Sequence, residues 1–439
     1  MWSLLTVFLG LSVLWGLPQD AIGSCQLKTT PTAPLIVTTF GSKQLVSNSA
    51  GNHERDRGET IELFCGSGFL FNYRHSYGHT ESLSINDNKV SLRCESDYFV
   101  YPKNRDRLMN LVVQCQKGVS QLFESRTSLP NCEGDMTLVL GHDFEEMGTM
   151  KNAALCYNIV ASRMKYIAYT TFPEKNLILQ KTQLGQLNTI GLDIKVNYRK
   201  NLIKSISQTE IDAYLKKKDV LWQLFQGRVF ESASLVLDDA VGVQLAGYEA
   251  MMATTWLSSL RSGNWKHWVA AMREATKAGL HFDVRLGVSG VLELPLDVGR
   301  SCNASRSLVF ELADGSSLPA PAHIWAHVHI LESTGGVEDE FVIIGHNSPF
   351  FRSDNSTELC SSMCDQVSWL KNSLFASLHR FPAYGLVQCC RVEDVASKLD
   401  NFPGSFANES ASRSTTPAPD PIPAFVMSLK PESENTELE

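Results

Sequence analysis

The basic side chains between Lys195 and Arg273 are the most direct source of chemistry in this sequence. Lys195, Arg199, Lys200, Lys204 and the run Lys216-Lys217-Lys218 precede Arg228, Arg261 and Arg273. Lysine and arginine contact phosphate oxygens without a proton acceptor, so these groups along one groove would hold nucleic acid or another polyanion. Trp222 and Trp256 would offer stacking faces there, or would pack into the core. The same cations on a solvated helix face, with Arg228 or Arg261 paired to Asp238 or Asp239, would hold nothing. Overall charge does not help, since 39 basic against 47 acidic residues leave the chain at −8. No global positive field draws in DNA or RNA, and any polyanion site is a local patch.

Two further constellations carry chemical residue types. His323, His327 and His329 share parity and are expected on one face of a strand. Such a row either holds a metal ion or packs and meets backbone and solvent, and no Cys or acidic residue at suitable spacing completes a ligand set. Gly287-Val-Ser-Gly290 has a glycine one place too early for a nucleophile elbow and reads as a turn between strands.

The element that would position the arginines is a helix beginning near Asn264. Trp265, Trp268, Val269 and Met272 form an i, i+3, i+4, i+7 apolar stripe that ends at Ala278-Gly279. If its first turn reaches back to Arg261, then Arg261, Val269 and Arg273 lie near one face. Alternating runs at Thr60–Cys65 and Lys89–Cys94 lie between Gly, Asn and Ser clusters and read as strands. Strand-like runs at Lys165–Thr171 and Phe341–Gly345 mix with helical ones, so the fold class is α+β.

The 439 residues, 43% of them hydrophobic, suffice for one large or two modest domains. Residues 1–23 read as a signal peptide, with an apolar run from Met1 to Gly16 and Ala21-Ile22-Gly23 before Ser24. The basic n-region is missing, and an uncleaved anchor is the alternative; no later segment is long enough to span a bilayer. A Cys-rich β domain over 24–135 and a larger α+β domain over 136–403 follow, then an acidic Ser/Thr/Pro tail over 404–439 expected to be disordered. From Ala407 onward the tail carries six acidic against two basic residues, half the net charge.

Eleven cysteines, five of them in the Cys-rich domain, agree with export. Cys360, Cys364, Cys389 and Cys390 are expected to clasp two C-terminal segments, with the pairing open and a zinc site as the rival. The odd total leaves one thiol free or bridging two chains. Asn303-Ala-Ser305, Asn355-Ser-Thr357 and Asn408-Glu-Ser410 are N-glycan acceptors in a secreted chain.

Three segments together carry a family resemblance: Arg261-Ser-Gly-Asn-Trp265, Leu359-Cys-Ser-Ser-Met-Cys-Asp-Gln-Val-Ser-Trp-Leu370 and Gly385-Leu-Val-Gln-Cys-Cys-Arg-Val-Glu-Asp394. They resemble the secreted DNA/RNA non-specific endonucleases, especially the insect double-stranded-RNase-like branch. Pro319-Ala-Pro-Ala-His-Ile-Trp325 and Ile344-Gly-His-Asn-Ser-Pro349 resemble further family segments, so the likeness covers most of residues 137–400. It implies a ββα-metal (His-Me finger) nuclease-like domain with an antiparallel sheet, preceded by a small disulfide-rich β domain.

In that family an Asp-Arg-Gly-His motif supplies a His general base and a helix Asn holds hydrated Mg²⁺, with a Glu and an Arg on the following turns. At the family's spacing, Phe225-Gln-Gly-Arg228 falls where that motif belongs, and only Gly227 survives. Arg228 then stands at the general-base position, where a guanidinium cannot accept a proton at neutral pH. Arg261 takes the place of the metal-holding Asn and offers no lone pair to an ion. Val269 replaces the Glu, and Arg273 matches the helix Arg. Asp56-Arg57-Gly58-Glu59 imitates the motif with Glu for His, but about two hundred residues separate it from the helix, so it reads as a polar turn before a strand.

The expectation is a secreted pseudonuclease that binds nucleic acid or another polyanion through Arg228, Arg261, Arg273, Lys216, Lys217 and Lys218, with the family's Mg²⁺ lost. The alternatives are an active Mg²⁺-dependent endonuclease using another base, such as His267, and a secretory protein that touches no nucleic acid.

Overall fold

The computed structural model shows a mixed α+β chain that is mostly sheet, with two large sheets: burial alternates along strands of the first, as at Lys89–Glu95, and is nearly continuous along the central strands of the second. It describes residues 23–406 except 31, 41–42, 48–50, 75–77, 104, 172–175, 180–184, 198–203, 218–220, 222–224, 226–228, 296–304, 313–314, 333–335, 337 and 351–357. Outside the described residues lie residues 1–22 of the expected signal peptide, Arg199, Lys200, Lys218, Trp222, Gly227, Arg228, Cys302, Asn303, Asn355 and residues 407–439 of the tail with Asn408.

The first sheet gathers the strands from Ser24–Thr29 to Asp106–Cys115. Thr60–Phe64 and Lys89–Glu95 pair antiparallel within it, Ile61 against Leu92. Ser24–Thr29 runs parallel to Asp106–Cys115, Leu27 facing Leu111. Disulfides Cys25–Cys94 and Cys65–Cys115 cross its core of Leu27, Leu63, Phe69, Phe71 and Leu111. Asp56-Arg57-Gly58-Glu59 is a turn into the strand at Thr60: Glu59 N–H donates to the Asp56 carbonyl, and Asp56 N–H to the Glu59 carboxylate at 3.0 Å.

The chain passes to the second sheet between Cys115 and Gln121, and Asn176–Ile178 returns to pair with Lys43–Ser47 at the edge of the first. The second sheet has nine antiparallel strands, in the order Ile194–Lys195, Gln121–Ser125, Met136–Asp143, Thr149–Asn158, Arg163–Thr171, Phe282–Ser289, His323–Ile330, Glu340–His346 and Val387–Cys390. Its central strands are buried on both faces. Ile167, Tyr169, Leu286, Ala326 and Ile343 face one core, which also takes Trp256, Trp265, Trp268 and Met272. The alternate residues Tyr166, Ala168, Trp325 and Ile344 face another, closed by Val395, Leu399 and Phe402. Gly287-Val-Ser289 belongs to the strand Phe282–Ser289 and only Gly290 turns, which corrects the expected turn. Trp325 lies directly over Gly287, where any side chain would collide with the indole.

Cys360–Cys390 and Cys364–Cys389 form the expected clasp, tying the segment before the C-terminal helices to the edge strand Val387–Cys390. Cys132–Cys156 is the fifth disulfide among the described residues, and the eleventh cysteine, Cys302, lies outside them. Among the described residues no helix is long and apolar enough to cross a membrane.

Candidate functional site

A two-stranded antiparallel hairpin, Phe230–Ser234 with Ala253–Leu257, runs directly into the helical segment that starts at Ser258. Asn347 fastens this hairpin to the large sheet. Its Oδ1 accepts from Leu257 N–H at 2.5 Å, and its Nδ2 donates to the carbonyls of Thr255 and Pro321 at 2.9 Å each, all fully buried. Within the hairpin Trp256 donates to the Ala233 carbonyl at 3.2 Å, and its ring meets Trp265 of the helical segment edge-on with centroids 5.4 Å apart. Trp256 is fully buried, so it is a core residue rather than a stacking surface.

The expected helix occupies Lys266–Lys277 and buries Trp268, Val269 and Met272 as its stripe requires. It does not reach back smoothly to Arg261. The backbone kinks at Gly263, where a Cβ would collide with the Tyr384 carbonyl oxygen, and Gly385, at φ +77°, lies against the Cα of Leu260. Two backbones thus touch at glycine on both sides. The adjacent Asn264 secures the contact by donating through Nδ2 to the carbonyls of Leu378 at 2.8 Å and Gly385 at 2.5 Å. The kink breaks the i+4 extrapolation that placed Arg261 on one face with Val269 and Arg273.

Both described arginines of the site are held by carboxylates. Arg261 Nη1 lies 3.4 Å from Glu231 Oε1, on the opposite hairpin strand, with each side chain about a third exposed. Arg273 Nε lies 3.4 Å from Asp238 Oδ1, and Asp238 is fully buried. Asp238 also caps the helix Asp239–Gln244, accepting from Ala240 N–H at 3.1 Å. Burial pushes its carboxyl above the usual range, against the opposing pull of Arg273, and it in turn helps drive the buried Tyr169 phenol well above its ordinary value, behind burial itself. The expected pairing of Arg261 with Asp238 or Asp239 is therefore replaced by Arg261–Glu231 and Arg273–Asp238. Glu231 had no signal in the sequence, because its partner depends on hairpin register.

The lysines stand apart. Lys216 and Lys217 are exposed at the end of the helix Gln208–Lys216, whose opposite end touches the hairpin: Gln208 donates to the Phe230 carbonyl at 3.2 Å and accepts from Ser232 N–H at 3.0 Å. Eight residues at ~1.5 Å each put Lys216 about 12 Å along the axis from that contact. Lys195 lies on the edge strand of the large sheet. His267 projects beside Tyr384, ring centroids 6.4 Å apart, with no hydrogen bond to its imidazole among the described residues.

The histidine row does share one face of its strand, with each member engaged separately. His327 is fully buried and shares a 2.8 Å hydrogen bond with Glu340; burial pulls its pKa down to about 4. His323 meets His346 edge-on at 5.1 Å, and burial pulls His346 down to about 3. His329 faces Asp283 across the register. Among the described residues no three His, Cys, Asp or Glu side chains converge as a metal-holding group. Neither the comparison with protein-family models nor that with curated proteins returns a match.

Proposed function

We propose that the chain is a secreted pseudonuclease: a ββα (His-Me finger) endonuclease scaffold that has lost its metal ligand and general base, and that touches nucleic acid or another polyanion without cutting it. One observation carries the reading. Where hairpin joins helix, Arg261 is paired with Glu231 at 3.4 Å, at the position where the resemblance puts a magnesium-holding Asn. A guanidinium has no lone pair and a fixed positive charge, so this donor set does not suit hydrated Mg²⁺, and no step passes through a metal. The motif residues that persist do structural work instead: Gly263 admits Tyr384, Asn264 ties two carbonyls, and Trp265 fills the core. Loss of base catalysis alone typically costs about 10²- to 10⁴-fold.

Binding rests on what the arginines keep. Arg261 spends Nη1 and Arg273 spends Nε on one carboxylate each, so further guanidinium N–H groups remain for phosphate. The four charges sum to zero, which makes the attraction modest. That neutrality favours the second reading, a secretory protein that binds no nucleic acid. The five disulfides fit an oxidising, extracellular setting for either.

Incubating the purified chain with double-stranded RNA and plasmid DNA, with Mg²⁺ or with chelator, tests the proposal. No chelator-sensitive cleavage, together with salt-sensitive binding that weakens in Arg261→Ala, is the expected result. Chelator-sensitive cleavage abolished by His267→Ala would make it an enzyme, and no binding at low salt would select the second reading.

A further inference from the structure

A cleft separate from the arginine pairs opens between the large sheet and the far end of the hairpin. Its walls come from Leu235, Met251, Val288, Val291, Leu318 and Pro319, and it encloses about 290 Å³. None of Arg261, Arg273, Glu231 or Asp238 lines it. Arg163, Lys165 and Lys204 stand around it, with Asp400 opposite. Lys165 is paired with Asp135, and Asp400 accepts from Gly290 N–H at 2.8 Å. Arg163 and Lys204 differ: the Lys204 N–H donates to the Ser162 carbonyl at 3.1 Å, which fixes Lys204 beside Arg163, and among the described residues neither cation has a carboxylate partner. The adjoining turn exposes Ile159 at 57% and Val160 at 95%, the latter the most exposed large apolar side chain described.

Two neighbouring cations repel one another unless an anion sits between them. An apolar wall meeting a cationic edge suits a molecule with a short aliphatic body and an anionic head. The volume limits its size, since at ~30 Å³ per water the cleft holds the space of about ten waters, or about ten non-hydrogen atoms. We propose that this cleft binds a small amphipathic anion, a medium-chain carboxylate or alkyl phosphate, with the head between Arg163 and Lys204 and the chain against Leu235, Val288, Val291 and Leu318. The same chemistry is available from a free molecule or from a lipid presented at a surface, and a volume of about 290 Å³ favours the free one, whose short chain it can hold.

Calorimetric titration of the full chain with octanoate and with octyl phosphate tests this, with octanol as the uncharged control. Saturable binding is expected for both anions, weaker binding for octanol. Arg163→Ala combined with Lys204→Ala removes two solvent-facing charges and should weaken the anions by about tenfold or more while leaving octanol unchanged. Val291→Trp, at a residue 40% exposed, fills the cleft and should abolish all three. A featureless octanoate titration of the unmodified chain, or anion binding that survives both variants, overturns the proposal. So does binding seen only to phosphatidylserine vesicles, which would assign the patch to a membrane surface. None of these outcomes depends on whether the chain cuts or binds nucleic acid.

Discussion

Replacing Glu231 by Gln should strengthen nucleic-acid binding. The arginine site carries Arg261 and Arg273 against Glu231 and Asp238, a sum of zero, and the substitution leaves one net positive charge while keeping the side chain's shape. One more effective phosphate contact steepens the dependence of log K on log salt by about 0.9, which at ~0.1 M salt is about eightfold in affinity. Coulomb's law agrees: an opposite charge at 3.4 Å in a water-like dielectric masks Arg261 by about 1.2 kcal/mol, also a factor of about eight. Stability should change by no more than ~1 kcal/mol, because both side chains are partly exposed. Fluorescence anisotropy of a labelled DNA duplex between ~50 and ~200 mM salt reads both quantities. Unchanged affinity and slope in Glu231→Gln would mean that Arg261 does not face the ligand, and the binding half of the proposal would fall.

The remaining predictions concern what the retained residues hold. Arg273→Ala strands the buried Asp238 carboxylate and should cost roughly 3 kcal/mol in urea unfolding at pH 7, with the loss shrinking toward acid as Asp238, its pKa already raised, takes up a proton. Asn264→Ala should cost roughly 2–4 kcal/mol by unpairing the Leu378 and Gly385 carbonyls, and a wild-type midpoint would contradict the clasp at the kink. His327, with a folded pKa of about 4 against 6.5 unfolded, stabilises the fold fully above pH 6.5 and loses roughly 3 kcal/mol as the pH falls to 4; thermal melts of His327→Gln should show a shallower decline over that window. Asp238 and Asp283, both raised by burial, oppose that trend at lower pH. Removing Cys364–Cys389, which closes a 25-residue separation, should cost up to about 3.5 kcal/mol by loop entropy, read from denaturation of Cys364→Ala with Cys389→Ala.

Local pattern was enough where neighbours along the chain decide structure. The apolar stripe from Trp265 to Met272 requires a helix, alternation marks the strands at Thr60–Phe64 and Lys89–Glu95, strand-like runs mark those at Lys165–Thr171 and Phe341–Gly345, and paired cysteines mark the clasp. Contacts between distant segments were illegible. The kink at Gly263 lies where Tyr384, far along the chain, brings its carbonyl against the glycine, and Gly287 stays in a strand because Tyr166 and Trp325 pair with it on either side. The partners of the two arginines could not be read for the same reason: Glu231 meets Arg261 through hairpin register, while Asp238 turns inward to cap a helix and meets Arg273. The cleft with Arg163 and Lys204 joins strands, a hairpin and a loop that no spacing rule connects.

The central claim, that a cation has displaced the metal, is tested most directly by a crystal structure grown with Mn²⁺ and measured for anomalous scattering. The account predicts no manganese peak where Ala253–Leu257 meets the helix, with the Arg261 guanidinium against Glu231 in its place. A manganese ion there beside an imidazole would contradict it and restore a phosphodiester-cleaving enzyme.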